Sequence, residues 1–190
     1  MINSAIVEDR LGAPGDALTL IAGTDRCAAL LAIWREARVD PSSVPGKAAM
    51  DPIVLAKAGL LPSVWLIECD ETGSFFYRLI GEGVRRHFSV PVRGRHLHEL
   101  YDGDMRDLIV ARCQRVLVDG VIMFTSGAVY RDGRQVYYAK RILLPLSDSE
   151  GQRRYLIGTV DQSQVDDCPG LEGSLRFAND FVSFLPIDAL

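Results

Sequence analysis

The chain has 190 residues, of which 48% are apolar and 24% charged, with a formal net charge of −4. That length suits one domain with short extensions. The mix excludes a disordered chain, and the mild acidity excludes a blanket attraction to nucleic acid or anionic lipid.

Cys27, Cys69, Cys113 and Cys168 are far apart and form no CxxC pair, which points to reduced thiols rather than a disulfide framework or a metal site. The first residues carry Glu8, Asp9, Arg10 and Asp16 before a brief apolar run at 17–22, unlike a secretory leader. No window approaches 18 uninterrupted apolar residues, so a cytoplasmic protein is expected.

In chain order, residues 1–23 read as a loosely ordered arm. Thr24 and Asp25 fit a helix start, and Cys27, Leu30, Leu31 and Trp34 then fall on one helical stripe. That stripe predicts a cover for the sheet in its own chain or a contact between two copies, with Leu30, Leu31 and Trp34 as the dimer or partner residues. A Pro- and Gly-bearing loop at 40–49 ends the helix, and Asp51-Pro52 opens a short one that Gly59 stops.

From residue 63 the period changes to that of strands. Residues 63–70 and 74–81 form a predicted hairpin around the turn 70–73. One convincing helix is predicted at 103–118. Three strands follow, at 121–130, 135–146 and 153–162, with an Asp132-Gly133 turn and a polar loop at 147–152 between them. After Asp166, residues Leu171, Leu175, Val182 and Leu185 have roughly helical spacing, so the tail 166–190 is predicted to hold a short helix.

The order predicts an α+β domain, with a five-stranded antiparallel sheet and helices on one face, preceded by the N-terminal helix. The strands are apolar at both parities, as with Trp65 beside Leu66 and Phe75 beside Phe76. A second layer or another subunit must therefore cover the outer face.

An ordered set of motifs carries a resemblance: Trp34, Met50-Asp51-Pro52, Leu60-Leu61-Pro62, YRLIG at 77–81, VRGRHLHEL at 92–100 and RILLPLS at 141–147. Together they resemble a PAS domain, and more narrowly the single-PAS proteins common in alphaproteobacteria. The resemblance spans roughly 30–162 and sets the expected domain at 24–165. It implies a five-stranded sheet cradling helices around a pocket, with a non-catalytic regulatory role exercised through a small ligand, a protein partner or both. Flavin-binding members carry an Asn-Cys-Arg tripeptide, absent here, and haem-binding members a histidine on the long helix, where this chain has none. The resemblance thus implies no cofactor.

Within the long helix, Met105, Leu108, Ile109, Cys113 and Val116 share one face, and Arg112 falls inside that stripe. Such a guanidinium either reaches water, pairs with a carboxylate such as Asp119 or Glu99, or meets an anionic ligand. Trp65, Tyr77, Met105, Ile109, Met123 and Tyr138 either line a pocket beside it or fill the core.

Arg85, Arg86, Arg93 and Arg95, with His87, His96 and His98, form a basic cluster suited to phosphate or an acidic partner, or else a solvated loop. His96 and His98 lack an evident third ligand, so no metal is expected. No GxSxG, HExxH, P-loop or GxGxxG occurs, and catalytic residues are predicted to be none.

Two other functions stay open. One is a cone-fold (NTF2-like) enzyme or carrier whose pocket holds a proton-transferring Asp or Tyr. The other is a nucleotide-responsive adaptor using the arginine cluster at 85–98. A homodimer or a signalling protein partner is expected in the favoured reading, since no output domain fits the remaining residues.

Overall fold

The computed structural model describes residues 10–11, 14–132, 135–165 and 181–189. Its elements are β1 (Arg10–Leu11), α1 (Pro14–Ala22), α2 (Asp25–Glu36), α3 (Pro52–Lys57), β2 (Val64–Cys69), β3 (Phe75–Ile80), α4 (Glu82–Arg85), α5 (Leu97–Leu100), α6 (Gly103–Asp119), β4 (Val121–Asp132), β5 (Gln135–Ser147), β6 (Arg153–Val165) and β7 (Phe181–Pro186). One seven-stranded sheet runs in the order β1-β7-β4-β5-β6-β2-β3. All its pairings are antiparallel except that of the two-residue β1 with β7.

The mixed helix and antiparallel sheet is the expected α+β fold, and its five expected strands are β2 to β6. The extensions differ from expectation. Of the expected loose arm at 1–23, residues 1–9, 12 and 13 lie outside the described residues, while 14–22 form α1, which buries Ala17 and Ile21 against the core. In place of a C-terminal helix, Val182 and Leu185 lie on β7, which pairs with β4 through Thr125↔Val182 and Ile122↔Leu185. Leu171 and Leu175 lie outside the described residues, as do Cys168 and the Gly133 of the predicted turn.

Helices cover both faces of the sheet, which answers the apolar residues at both parities. Ladder partners share a face, so Leu66, Ile157, Leu144, Ile122 and Leu185 form one continuous row across five strands. This row packs under α1, α2 and α3. Trp34 is wholly buried there and donates its indole N–H to the Pro145 carbonyl at 2.8 Å.

Leu30, Leu31 and Trp34 are thus core residues of their own chain rather than a dimer contact, because the sheet already occupies the apolar stripe. Among the described residues no single helix is long and apolar enough to cross a membrane.

Local chemistry sets the ends of these elements. Asp51 caps α3, its carboxylate accepting the Ile53 N–H at 2.8 Å. Thr24, the expected cap of α2, instead turns its hydroxyl back to the Ile21 carbonyl. Asp161 of β6 takes the capping role, accepting the N–H groups of Arg26 and Cys27 at 3.0 and 3.1 Å. In the β2–β3 turn, Asp70 Oδ1 accepts from the backbone N–H groups of Thr72 and Ser74. A side chain at Gly81 would meet the Leu61 carbonyl oxygen at 2.3 Å, so the Leu60-Leu61-Pro62 segment can lie directly on the end of β3.

Candidate functional site

The other face of the sheet is built from alternate residues of the same strands. Trp65 and Ile67 of β2, Met123 and Thr125 of β4, Arg141 and Leu143 of β5 and Val160 of β6 all point to it. Above them runs α6, presenting Ile109, Arg112 and Cys113, with Val116 one turn on in the same stripe. Tyr77 of β3, Val84 of α4, Phe88 and Tyr101 close the sides. Between these walls is a cavity of about 110 Å³. One water needs roughly 10–15 Å³ on such a measure, so the space admits a small organic molecule.

The cavity is mostly apolar, with a few polar groups. Arg112 is buried, and Arg141 is half-buried with its Nη1 3.3 Å from the Thr125 hydroxyl oxygen. Both residues also have other interactions within the protein. Tyr77 and Tyr101 share a hydrogen bond between their hydroxyls at 3.2 Å. Burial pushes the Cys113 thiol up to about 12, with the Arg112 charge opposing the rise, so this sulfur stays protonated and inert near neutrality.

Of the residues expected at a pocket, Arg112, Ile109, Trp65, Tyr77 and Met123 are brought together in this cavity. Met105 is not among its walls. It sits one turn before Ile109, about 6 Å nearer the start of α6. Tyr138 lies on the opposite sheet face, exposed, with its hydroxyl 2.6 Å from Ser126 Oγ. It shares the parity of Ile142 and Leu144 rather than that of Arg141 and Leu143.

The two carboxylates considered for Arg112 serve other groups. Asp119 lies 3.7 Å from Arg115, and Glu99 accepts the His96 N–H at 2.7 Å. Arg141 and Thr125 were not anticipated. Arg141 shares its parity with Leu143, but β5 is apolar at both parities, so alternation alone does not assign it a face.

The arginines of the basic cluster do not enter the cavity. Arg85 is exposed and held by Glu82 through two hydrogen bonds of 2.7 Å. Arg86 and Arg93 are exposed, and Arg95 is half-buried. The segment carrying Arg93 and Arg95 pairs with β3 through its backbone, Gly94 N–H donating to Tyr77 O at 2.7 Å and Tyr77 N–H to Arg95 O at 3.0 Å. His96 and His98 stack, with ring centroids 5.2 Å apart. Among the described residues no three His, Cys, Asp or Glu side chains gather into a metal-sized group.

Glu68, buried on β2, pairs with Arg78 at 2.9 Å and approaches Arg154 at 3.7 Å, which compensates its burial across the sheet.

A long helix laid over one face of an antiparallel sheet, with a small cavity between them, defines a PAS-type α+β module. The sequence model of the family described as PAS domain matches residues 24–161, and the chain belongs to that family. Comparison with curated proteins yields no match.

Proposed function

We propose that this chain is a non-catalytic sensory or regulatory module that takes a small molecule between α6 and the sheet and passes the state of that pocket to a partner protein. The cavity is the observation that carries this reading. It is mostly apolar, it sits under the longest helix of the domain, and a few polar groups converge on it, as in small-molecule sites generally.

The described lining residues include no Asp, Glu or His. Tyr77 and Tyr101 line the cavity, but their hydroxyls bond each other and no carboxylate or imidazole of the described lining stands by as a base, which supports binding over the proton-transfer chemistry of a cone-fold enzyme. A nucleotide is far larger than the space of about 110 Å³. A nucleotide-responsive adaptor would have to rely on surface arginines, and Glu82 already holds one of them, Arg85.

Native mass spectrometry of the freshly purified full chain tests the reading. A substoichiometric or stoichiometric adduct of small-molecule mass is expected. A bare chain that also gains no thermal stability across a broad panel of small metabolites would refute the ligand role. The same spectrum reports whether two copies associate, which in this reading must use a surface other than Leu30, Leu31 and Trp34.

A further inference from the structure

We infer that the pocket's ligand is a small organic carboxylate, gripped by Arg112 and Arg141 and packed by its aliphatic part against the sheet; this rests on the reading that the pocket binds a ligand. The charge in the cavity is placed in two spots. On the sheet wall, the ladder sets Val160, Arg141, Thr125 and Val182 side by side, while the neighbouring row is Gly158, Leu143, Met123 and Phe184. Among the residues of β4, β5 and β6 that line the cavity, only Arg141 and Thr125 of this one rung are polar. On the helix wall, Arg112 interrupts the stripe Ile109–Cys113–Val116, where an aliphatic residue would fill space at lower desolvation cost.

Two guanidinium groups thus line one cavity of about 110 Å³, one contributed by each wall. Each guanidinium carries five N–H donors in a planar fork, enough to serve an internal partner and two ligand oxygens together. Thr125, accepting from Arg141, keeps its own hydroxyl proton to donate. A carboxylate supplies acceptor oxygens in the geometry such forks recognise. A cationic ligand would meet two like charges in a low-dielectric space.

Size and polarity narrow the class. A dry cavity of about 150 Å³ takes up benzene, so about 110 Å³ fits a short branched or 2-oxo acid. The part of the ligand away from the carboxylate would lie on Ile67, Leu143 and Met123, which disfavours inorganic phosphate, since that ion has no apolar part to replace the contacts.

The test is a ¹H–¹⁵N NMR titration of the full chain with isobutyrate, with its neutral isostere isobutyramide and with inorganic phosphate. Saturable shifts confined to pocket residues are expected with isobutyrate. Binding at least tenfold weaker is expected for the amide and for phosphate. Arg141→Gln should weaken isobutyrate at least tenfold, and Thr125→Val, which keeps the shape at that rung if the arginine variant fails to fold, should weaken it severalfold. Amide binding as tight as acid binding, or a Thr125→Val chain that binds isobutyrate unchanged, overturns the carboxylate while the ligand role stands. Silence toward isobutyrate overturns the carboxylate, and only when joined by a bare native mass spectrum and an unresponsive metabolite panel does it overturn the ligand role as well.

Discussion

The two faces of this sheet are made by the same strands, residue by alternate residue, yet they are finished differently. Under α1, α2 and α3 the rows of Val64, Leu66, Phe124, Ile122, Ile142 and Leu144 join one buried apolar cluster, in which Trp34 is held by both packing and a hydrogen bond. Under α6 the corresponding rows of Ile67, Met123, Leu143 and Val160 meet an incomplete layer, and the gap holds two arginines, a threonine and two tyrosine hydroxyls. Close packing is the ordinary state of an interior, and a void forfeits dispersion contacts on every atom that lines it. In the proposed function the first face anchors the fold and the cavity face takes the ligand. Strand β5, like β2 and β4, serves both faces, through Leu144 on one and Leu143 on the other.

The largest break in this comparison is Trp34→Ala. Removing a fully buried indole that also serves the Pro145 carbonyl is expected to destabilise the fold by about 3–5 kcal/mol. Denaturant unfolding measures it, and a loss under about 1 kcal/mol would show that α2 is dispensable to the core. A matched pair sharpens the contrast. Leu144→Ala, within that buried cluster, should lie near the upper end of the roughly 2–5 kcal/mol range for such truncations, whereas Leu143→Ala, against the cavity, should lie near the lower end. Equal losses in the two unfolding curves would mean that the two faces are packed alike.

Much of this division was legible in the sequence, and the reasons for the rest are local. Strands β2 to β6 announced themselves through aromatic and β-branched runs cut by turn residues, and α6 through its period. Arg112 stood out because a helical stripe exposes an intruding charge at once. Arg141 did not, because a strand with apolar residues at both parities has no single stripe to interrupt, and the face a residue joins depends on which layer lies above it. Tyr138 was assigned to the pocket as an aromatic residue near it in sequence, although parity sends it to the other face.

The edges of the domain were misread for related reasons. Val182 and Leu185 are three apart, a spacing that suits a helix, while on β7 the same two residues both lie buried across from β4. Pro14 at the first position and Asp16 in the first turn did mark the start of α1, but the apolar run after them is too brief to show a helical period.

The next test acts on the cavity wall from beneath. A side chain at Gly158 would come within 2.4 Å of the Trp65 ring, so the indole lies on bare backbone there. Gly158→Ala should push Trp65 aside, destabilise the fold by about 1–3 kcal/mol and shift the tryptophan fluorescence. An unchanged spectrum and melting temperature would mean that Trp65 is not fixed against β6.

The smallest expected effect depends on pH and places one thiol on each side of the comparison. Cys27 lies beneath α2, and burial together with the nearby Asp161 charge raises its pKa from 9.0 to about 12. Cys113 lines the cavity, and burial raises it equally, to about 12. A thiol of raised folded pKa holds its proton where the unfolded chain has lost it. The stability this gives is complete below pH 9 and falls as the pH climbs toward 12. Near pH 10, one unit past the unfolded value, each thiol should lower stability by about 1 kcal/mol relative to pH 8.

Lysine and tyrosine titrations contribute to the same drop, so the informative quantity is the difference between variants. Cys113→Ala should remove about 1 kcal/mol of the change in unfolding free energy between pH 8 and pH 10, and Cys27→Ala a similar amount. If Cys113→Ala leaves the drop intact while Cys27→Ala reduces it, Cys113 ionises in the folded chain nearly as easily as in the unfolded one. The cavity would then be wet enough, and Arg112 close enough, to solvate a thiolate, and the two faces would differ in polarity as well as in packing.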